Sequence, residues 1–406
     1  MKDSGERFGD VDAAAAGFDP ARMALIRTAF EREITAGRLP GAVMAVARGN
    51  RLAYFDAFGV RDPASSAAMS TDAVFSIASM TKPMTSVAIM QLFEQGRLLL
   101  GDPISAHLPE FADVTRGIVD ADGQLRRVGP GRPPTIQDLL RHTSGLTYQN
   151  RGETPVHAAY PGSSATAAMA LTRQQAIDTL ASCPLLFEPG TAWEYGFSTD
   201  VLGFIVEAVS GQSLGQYLAE NVWNPLGLTD TAFELDAASR PRFATPFKRD
   251  PLTGEAQTVY HQRPGTKHWE AGGAGAVSTA ADYLAFAEAL RQGGSLAGAR
   301  VLGAKTVRLM TTDHLEAGLG SRIADTMDPA AEGYGFGLGF AVRRANGVSA
   351  LAGTAGDYYW SGVFGTYFWV DPAEELSCVV MAAAPGAMRL RFRQLSRALV
   401  YQAMTG

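Results

Sequence analysis

The run Val87-Ala88-Ile89-Met90-Gln91-Leu92-Phe93 is apolar almost all the way round a helix, and it is the strongest constraint on the fold. A helix with no polar face must be covered on every side, so it belongs inside a core large enough to surround it. A chain of 406 residues, 46% hydrophobic and 19% charged, can supply that core and two lobes. Directly before the run stands Ser79-Met80-Thr81-Lys82. Residues three apart share a helix face, so Lys82 can reach the Ser79 oxygen at the mouth of the buried helix. There the unpaired N–H groups and the positive end of the helix dipole favour developing negative charge, and Pro83 is tolerated because the first turn needs no backbone donor.

This S-x-x-K spacing is that of serine acyl-transfer chemistry. With 23 serines and five lysines, chance alone supplies roughly a quarter of such a match, so the context carries the reading. An amine with an ordinary pKa of about 10.4, or a phenol at about 10, must be shifted down to act as a base at neutral pH. A third polar group should therefore converge on Ser79 and Lys82.

Other chemistries find little support. A net charge of −6 and a pI near 5.6 give no electrostatic reason to expect nucleic acid or an anionic membrane as partner. Cys183 and Cys378 do not make a disulfide framework and read as buried thiols. The six histidines show no metal-ligand spacing, so neither a metal nor another cofactor is expected; His142 reads as a structural hydrogen-bonding residue at a helix end. Residues 1–19 do not read as a signal peptide, and there is no apolar span of membrane length, which together predict a cytoplasmic protein. Gly211-Gln212-Ser213-Leu214-Gly215 matches a nucleophile elbow, but the run before it has helical spacing, so Ser213 is expected to cap a helix. Gly333, Gly335, Gly337 and Gly339 alternate with Tyr334, Phe336, Leu338 and Phe340, the period of a strand and not of a phosphate loop. The arginines Arg389, Arg391, Arg393 and Arg397 read as the solvated face of a last helix.

Asp19-Pro20 opens a helix that ends near Gly37, and residues 42–47 and 52–59 form a hairpin around Gly49-Asn50. From about 100 to 290 the signals are mainly helical, with starts at Thr135, Thr172 and Thr279. Strand character returns at residues 334–342, 363–370 and 376–383, before a helix over about 390–404. The fold class is α/β (α+β): an antiparallel sheet built from both chain ends, residues 1–100 and 290–406, flanked by terminal helices, with a mainly helical domain over 101–289 inserted and the active site between them.

Ser79-x-x-Lys82, the segment Phe187-Glu188-Pro189-Gly190-x-x-Trp193-x-Tyr195 and Trp360-Ser361-Gly362 occur in an order that resembles the family VIII carboxylesterases, relatives of class C β-lactamases and DD-peptidases. The segments 139–146, 225–231 and 272–275 look similar too, and the resemblance spans about residues 20–403. It implies the β-lactamase-like fold, Ser79 as nucleophile, Lys82 as its activating partner and Tyr195 as the phenol that exchanges protons with serine and leaving group. It also implies an oxyanion hole from the backbone N–H groups of Ser79 and Val363. The pattern departs from class C enzymes, which carry Tyr-x-Asn and Lys-Thr/Ser-Gly where this chain has Tyr195-Gly196-Phe197 and Trp360-Ser361-Gly362. Without that lysine, an uncharged small-molecule ester with a short or small apolar acyl group is the expected substrate, since burying an unpaired carboxylate costs several kcal/mol. Trp360, Ser361, Gly362, Phe197 and Tyr148 are the expected substrate contacts, with walls from residues 148–160, 267–271 and 357–360. Acyl transfer or amide hydrolysis on the same site, and β-lactamase or DD-peptidase activity, are the alternatives.

Overall fold

A computed structural model describes residues 8–257, 259, 261, 268–316, 318–319 and 322–406. Asp19 caps the first helix, α1 (Pro20–Thr35), by accepting from the N–H groups of Ala21 and Arg22. β1 (Gly41–Arg48) and β2 (Arg51–Asp62) pair through a turn in which Gly49 and Asn50 both have positive φ, the twist a two-residue hairpin requires. With β3 (Ala67–Ala68), β4 (Tyr334–Phe336), β5 (Ala341–Arg343), β6 (Tyr358–Ser361), β7 (Tyr367–Asp371) and β8 (Leu376–Ala382) they form one antiparallel sheet, ordered β4-β5-β6-β7-β8-β1-β2-β3. The ends of the chain meet where Ala42 of β1 faces Ala382 of β8.

Helix α2 (Thr81–Glu94) is buried at every position from Thr81 to Leu92, as its all-round apolar surface requires. It packs against α4 (Ser198–Ser210), as does the short α3 (Ile136–Leu140). One sheet face is covered by α1 and by the last helix, α6 (Met388–Tyr401), whose Phe392 ring lies 6.3 Å from that of Phe30. The other face receives α5 (Ala280–Arg291), with Tyr283 4.9 Å from Phe368 of β7. A domain boundary at residue 289 would thus cut a helix packed on β8 and β1. No helix among the described residues is long and apolar enough to cross a membrane.

Three local expectations are corrected. The run 334–342 is two strands, because the chain folds inward at Gly339, whose positive φ and lack of a side chain let it lie against Ser86 of α2. Residues 358–361, expected as a wall loop, are strand β6. The arginines of α6 are not a solvated face: Arg391 is exposed and paired with Glu33, but Arg397 is 0% and Arg393 6% exposed, and Arg389 is half-buried. Residues 389, 393 and 397 recur every four positions, a stripe turned inward. Its deep end is paired with Asp357, which Arg397 meets at 3.0 Å and Arg343 at 2.7 Å.

Candidate active site

Ser79 sits in a 3-10 turn, Ala78–Met80, that runs straight into α2. Ala78 has φ of 45°, a left-handed conformation unfavourable for a residue with a Cβ. The turn is held by its neighbours: Thr81 Oγ1 donates to Ala78 O at 2.7 Å and accepts from Ala276 N at 3.0 Å, while Thr366 Oγ1 donates to Ile77 O at 3.2 Å. Such clamping fixes the Ser79 hydroxyl at the edge of a cleft of about 290 Å³.

Tyr195 lies in the loop before α4, and its hydroxyl donates to Ser79 Oγ at 2.8 Å. The Lys82 ammonium, 2% exposed, stands 4.6 Å from the centre of the Tyr195 ring. It donates to Gly273 O at 2.5 Å and Tyr148 Oη at 3.3 Å, so the group in hydrogen-bond contact with the serine is the phenol, not the amine. Behind Lys82 runs a buried relay. Ser164 Oγ donates to Asp200 Oδ2 at 2.5 Å, which leaves it to accept from Tyr148 Oη at 2.6 Å, and Gly273 N donates to Asp200 Oδ1 at 2.9 Å. Burial pushes the Asp200 carboxyl up, with Lys82 the largest opposing influence. Burial, then the Asp200 charge, pushes the Tyr148 phenol well up, so Tyr148 stays protonated and donates. The result is a one-way chain, Lys82 to Tyr148 to Ser164 to Asp200, that fixes the ammonium on α2.

The N–H groups of Ser79 and Val363 have no hydrogen-bond partner among the described residues, and both residues line the cleft. Two free donors beside a nucleophilic oxygen are what a developing oxyanion needs. Arg393 Nη2 donates to Gly362 O at 2.8 Å. That carbonyl belongs to the same peptide as the Val363 N–H, so the guanidinium fixes the plane of the donor.

Of the expected substrate contacts, Tyr148 and Ser361 line the cleft. Three do not. Trp360 is 1% exposed and stands behind Tyr195, ring centres 5.5 Å apart, because β6 turns its side chain into the core; it buttresses the phenol instead of walling a substrate. Phe197 is 0% exposed and packs edge-on to Tyr148 at 4.7 Å. Gly362 faces Ile77 O, so its missing side chain lets the sheet edge approach the serine turn, not the substrate. Of the expected walls, Tyr160 and Trp269 pack in the core and Lys267 lies outside the described residues. The ring of His142 packs 4.9 Å from Tyr195, and its Nδ1 has no hydrogen-bond partner, unlike the role expected for it. Ser213 caps the helix Leu214–Leu218, as its spacing predicts. Ser164, Asp200, Gly273 and Arg393 escaped the sequence reading; the position of Asp200, five residues after Tyr195 and one turn into an apolar helix, was the available signal.

A serine at the mouth of a buried helix, a lysine one turn on and a tyrosine on the serine, set beside an antiparallel sheet, define a serine hydrolase of the β-lactamase-like fold. The chain belongs to the beta-lactamase family, whose pattern matches residues 26–402, and within that superfamily to the family VIII esterases. Protein Rv1367c of Mycobacterium tuberculosis is 37% identical over 84% of this chain and 85% of its own length. Esterase EstB of Burkholderia gladioli is 32% identical over 91% of this chain and 93% of its own. Among solved structures, EstCE1, described as a hydrolase with promiscuous acyltransferase activity, superposes with a TM-score of 0.77 at 28% identity, covering 94% of this chain and 99% of its own.

Proposed function

We propose that this protein cleaves carboxylic esters through an acyl-enzyme on Ser79. The observation that carries the reading is the 2.8 Å hydrogen bond from Tyr195 to Ser79 Oγ beside two free backbone donors. The reactive form carries Tyr195 as a phenolate facing the Lys82 charge, and as Ser79 Oγ attacks the ester carbonyl its proton passes to Tyr195 Oη. The tetrahedral oxyanion is held by the Ser79 and Val363 N–H groups. Collapse expels the alcohol, which takes the proton back from Tyr195, and water then attacks the acyl-enzyme by the same path. A cleft of about 290 Å³ suits a short acyl group with a small alcohol. Acyl transfer is a second reading, supported by the likeness to EstCE1: an alcohol that outcompetes water in the second step turns the same site into a transferase.

Turnover of p-nitrophenyl acetate, butyrate and octanoate beside a chromogenic cephalosporin tests the reading. Ester turnover with little cephalosporin turnover is expected; dominant cephalosporin turnover would overturn it. Tyr195→Phe removes the proton carrier and is expected to lower kcat by about 10²–10⁴-fold with little change in KM. A kcat within a few-fold of wild type would remove Tyr195 from the mechanism. Val363→Pro deletes one oxyanion donor and is expected to lower kcat by about 10²–10³-fold, with Val363→Ala close to wild type as its control. Equal activity of the two variants would place the second donor elsewhere.

A further inference from the structure

The cleft beside Ser79 is lined by three guanidiniums, and two of them form no ion pair among the described residues. Arg151 is paired with Glu194 at 2.9 Å. Arg389 and Arg393, on the inward stripe of α6, form no ion pair with any carboxylate among the described residues. Among the described residues Arg389 donates to the carbonyls of Pro385 and Gly386, at 2.8 and 2.9 Å. Arg393, 6% exposed, spends Nη2 on Gly362 O and lies 5.9 Å from the Tyr367 ring centre, while its Nε is buried with no partner. Asp328 bears on both arginines and Asp250 on Arg389 from beyond ion-pair distance, and their oxygens are held by other donors: Asp328 accepts from Ala330 N, and Asp250 from Leu252 N, Thr253 N and Gln257 Nε2. Burying a cation without an opposite charge is costly, and two neighbouring cations also repel each other. Burial and then the Arg389 charge lower the Arg393 pKa to about 10.

We propose that Arg389 and Arg393 form an anion subsite in this cleft, so that the preferred substrates are esters carrying a carboxylate. The proposal takes its ester chemistry from the function proposed above. It also reverses the expectation of an uncharged substrate: the cation absent at Trp360 is supplied from the last helix. Arg393 links the subsite to the reaction centre, since the same side chain holds the Gly362 carbonyl of the Val363 peptide. An anion bound there lies beside the oxyanion loop.

Two substrate pairs test this. Mono-p-nitrophenyl glutarate against p-nitrophenyl pentanoate places the carboxylate on the acyl half, and 4-carboxyphenyl butyrate against 4-acetylphenyl butyrate places it on the alcohol half. One anionic ester is expected to exceed its neutral partner in kcat/KM by at least about tenfold, a preference that shrinks with added salt. The ratio is expected to collapse in Arg389→Gln and to recover in part in Arg389→Lys, which keeps the charge. Anionic esters no better than their neutral partners, or a ratio indifferent to Arg389→Gln, would overturn the subsite. A second arm needs no turnover: glutarate, but not glutaramide, is expected to raise the melting temperature of Ser79→Ala protein, and Arg389→Gln to abolish the effect. Failure of all ester hydrolysis with that stabilisation intact would discard the esterase reading and keep the subsite; its absence would discard the subsite.

Discussion

Ser79→Ala is expected to lower kcat/KM on p-nitrophenyl butyrate by about 10⁴-fold or more while leaving the fold intact. The size follows from the chemistry: without the Oγ no acyl-enzyme forms, and what remains is stabilisation of water attack by the oxyanion donors and by binding. The structural cost should be small, because the partner lost by Ser79 Oγ is the Tyr195 hydroxyl, at a cleft that water can enter. An alkyl p-nitrophenyl phosphonate should add one equivalent of phosphonyl mass to wild type and none to the variant. Mass on another residue, or ester turnover that survives the substitution, would sink the nucleophile assignment. Ser213→Ala, at an exposed helix cap, is the control and should keep its activity.

Lys82→Ala is expected to fail twice, in rate by about 10³-fold and in stability by up to about 3–5 kcal/mol. The stability loss arises because Asp200 is 0% exposed and Lys82 is the largest influence favouring its charged form. Without the ammonium, the carboxyl rises further toward protonation. An acid whose folded pKa is raised binds more protons folded than unfolded, so the variant loses stability as pH climbs from the unfolded value of about 3.9. Its deficit relative to wild type should therefore be smallest in acid. Adding Asp200→Asn removes the orphan charge, and the double variant should regain most of the stability and none of the activity. Urea unfolding of the four proteins gives the coupling directly. A Lys82→Ala protein as stable as wild type, or a double variant no more stable than the single, would mean that the relay from Lys82 to Asp200 does not hold the site.

The elements legible in advance were those whose signals are local. Asp19, Thr135, Thr172 and Thr279 cap helices where their spacing predicts, and Gly49-Asn50 turns the hairpin. The apolar girdle of α2 required a buried helix, and Ser79 and Lys82, one turn apart at its mouth, pointed to serine chemistry before any fold was known. Tyr195, 116 residues from Ser79, was singled out by the family resemblance and by its place between a Pro-Gly turn and a helix, and its contact with the serine is a tertiary fact.

What only the tertiary structure decided is which way side chains face and what they meet. A strand's alternation does not say which face is buried, so Trp360 could be read as a cleft wall when it stands behind the phenol. Spacing on α6 showed arginines one turn apart but not that the stripe turns inward to a cleft on one side and to Asp357 on the other. Nor could it show that Gly273, Ser164 and Asp200, far apart along the chain, close a hydrogen-bonded path around Lys82. Helix period, capping and turn geometry act over a few neighbours and are written in the local sequence; burial and charge pairing depend on residues brought together by the whole fold, and the sequence carries them only in sum.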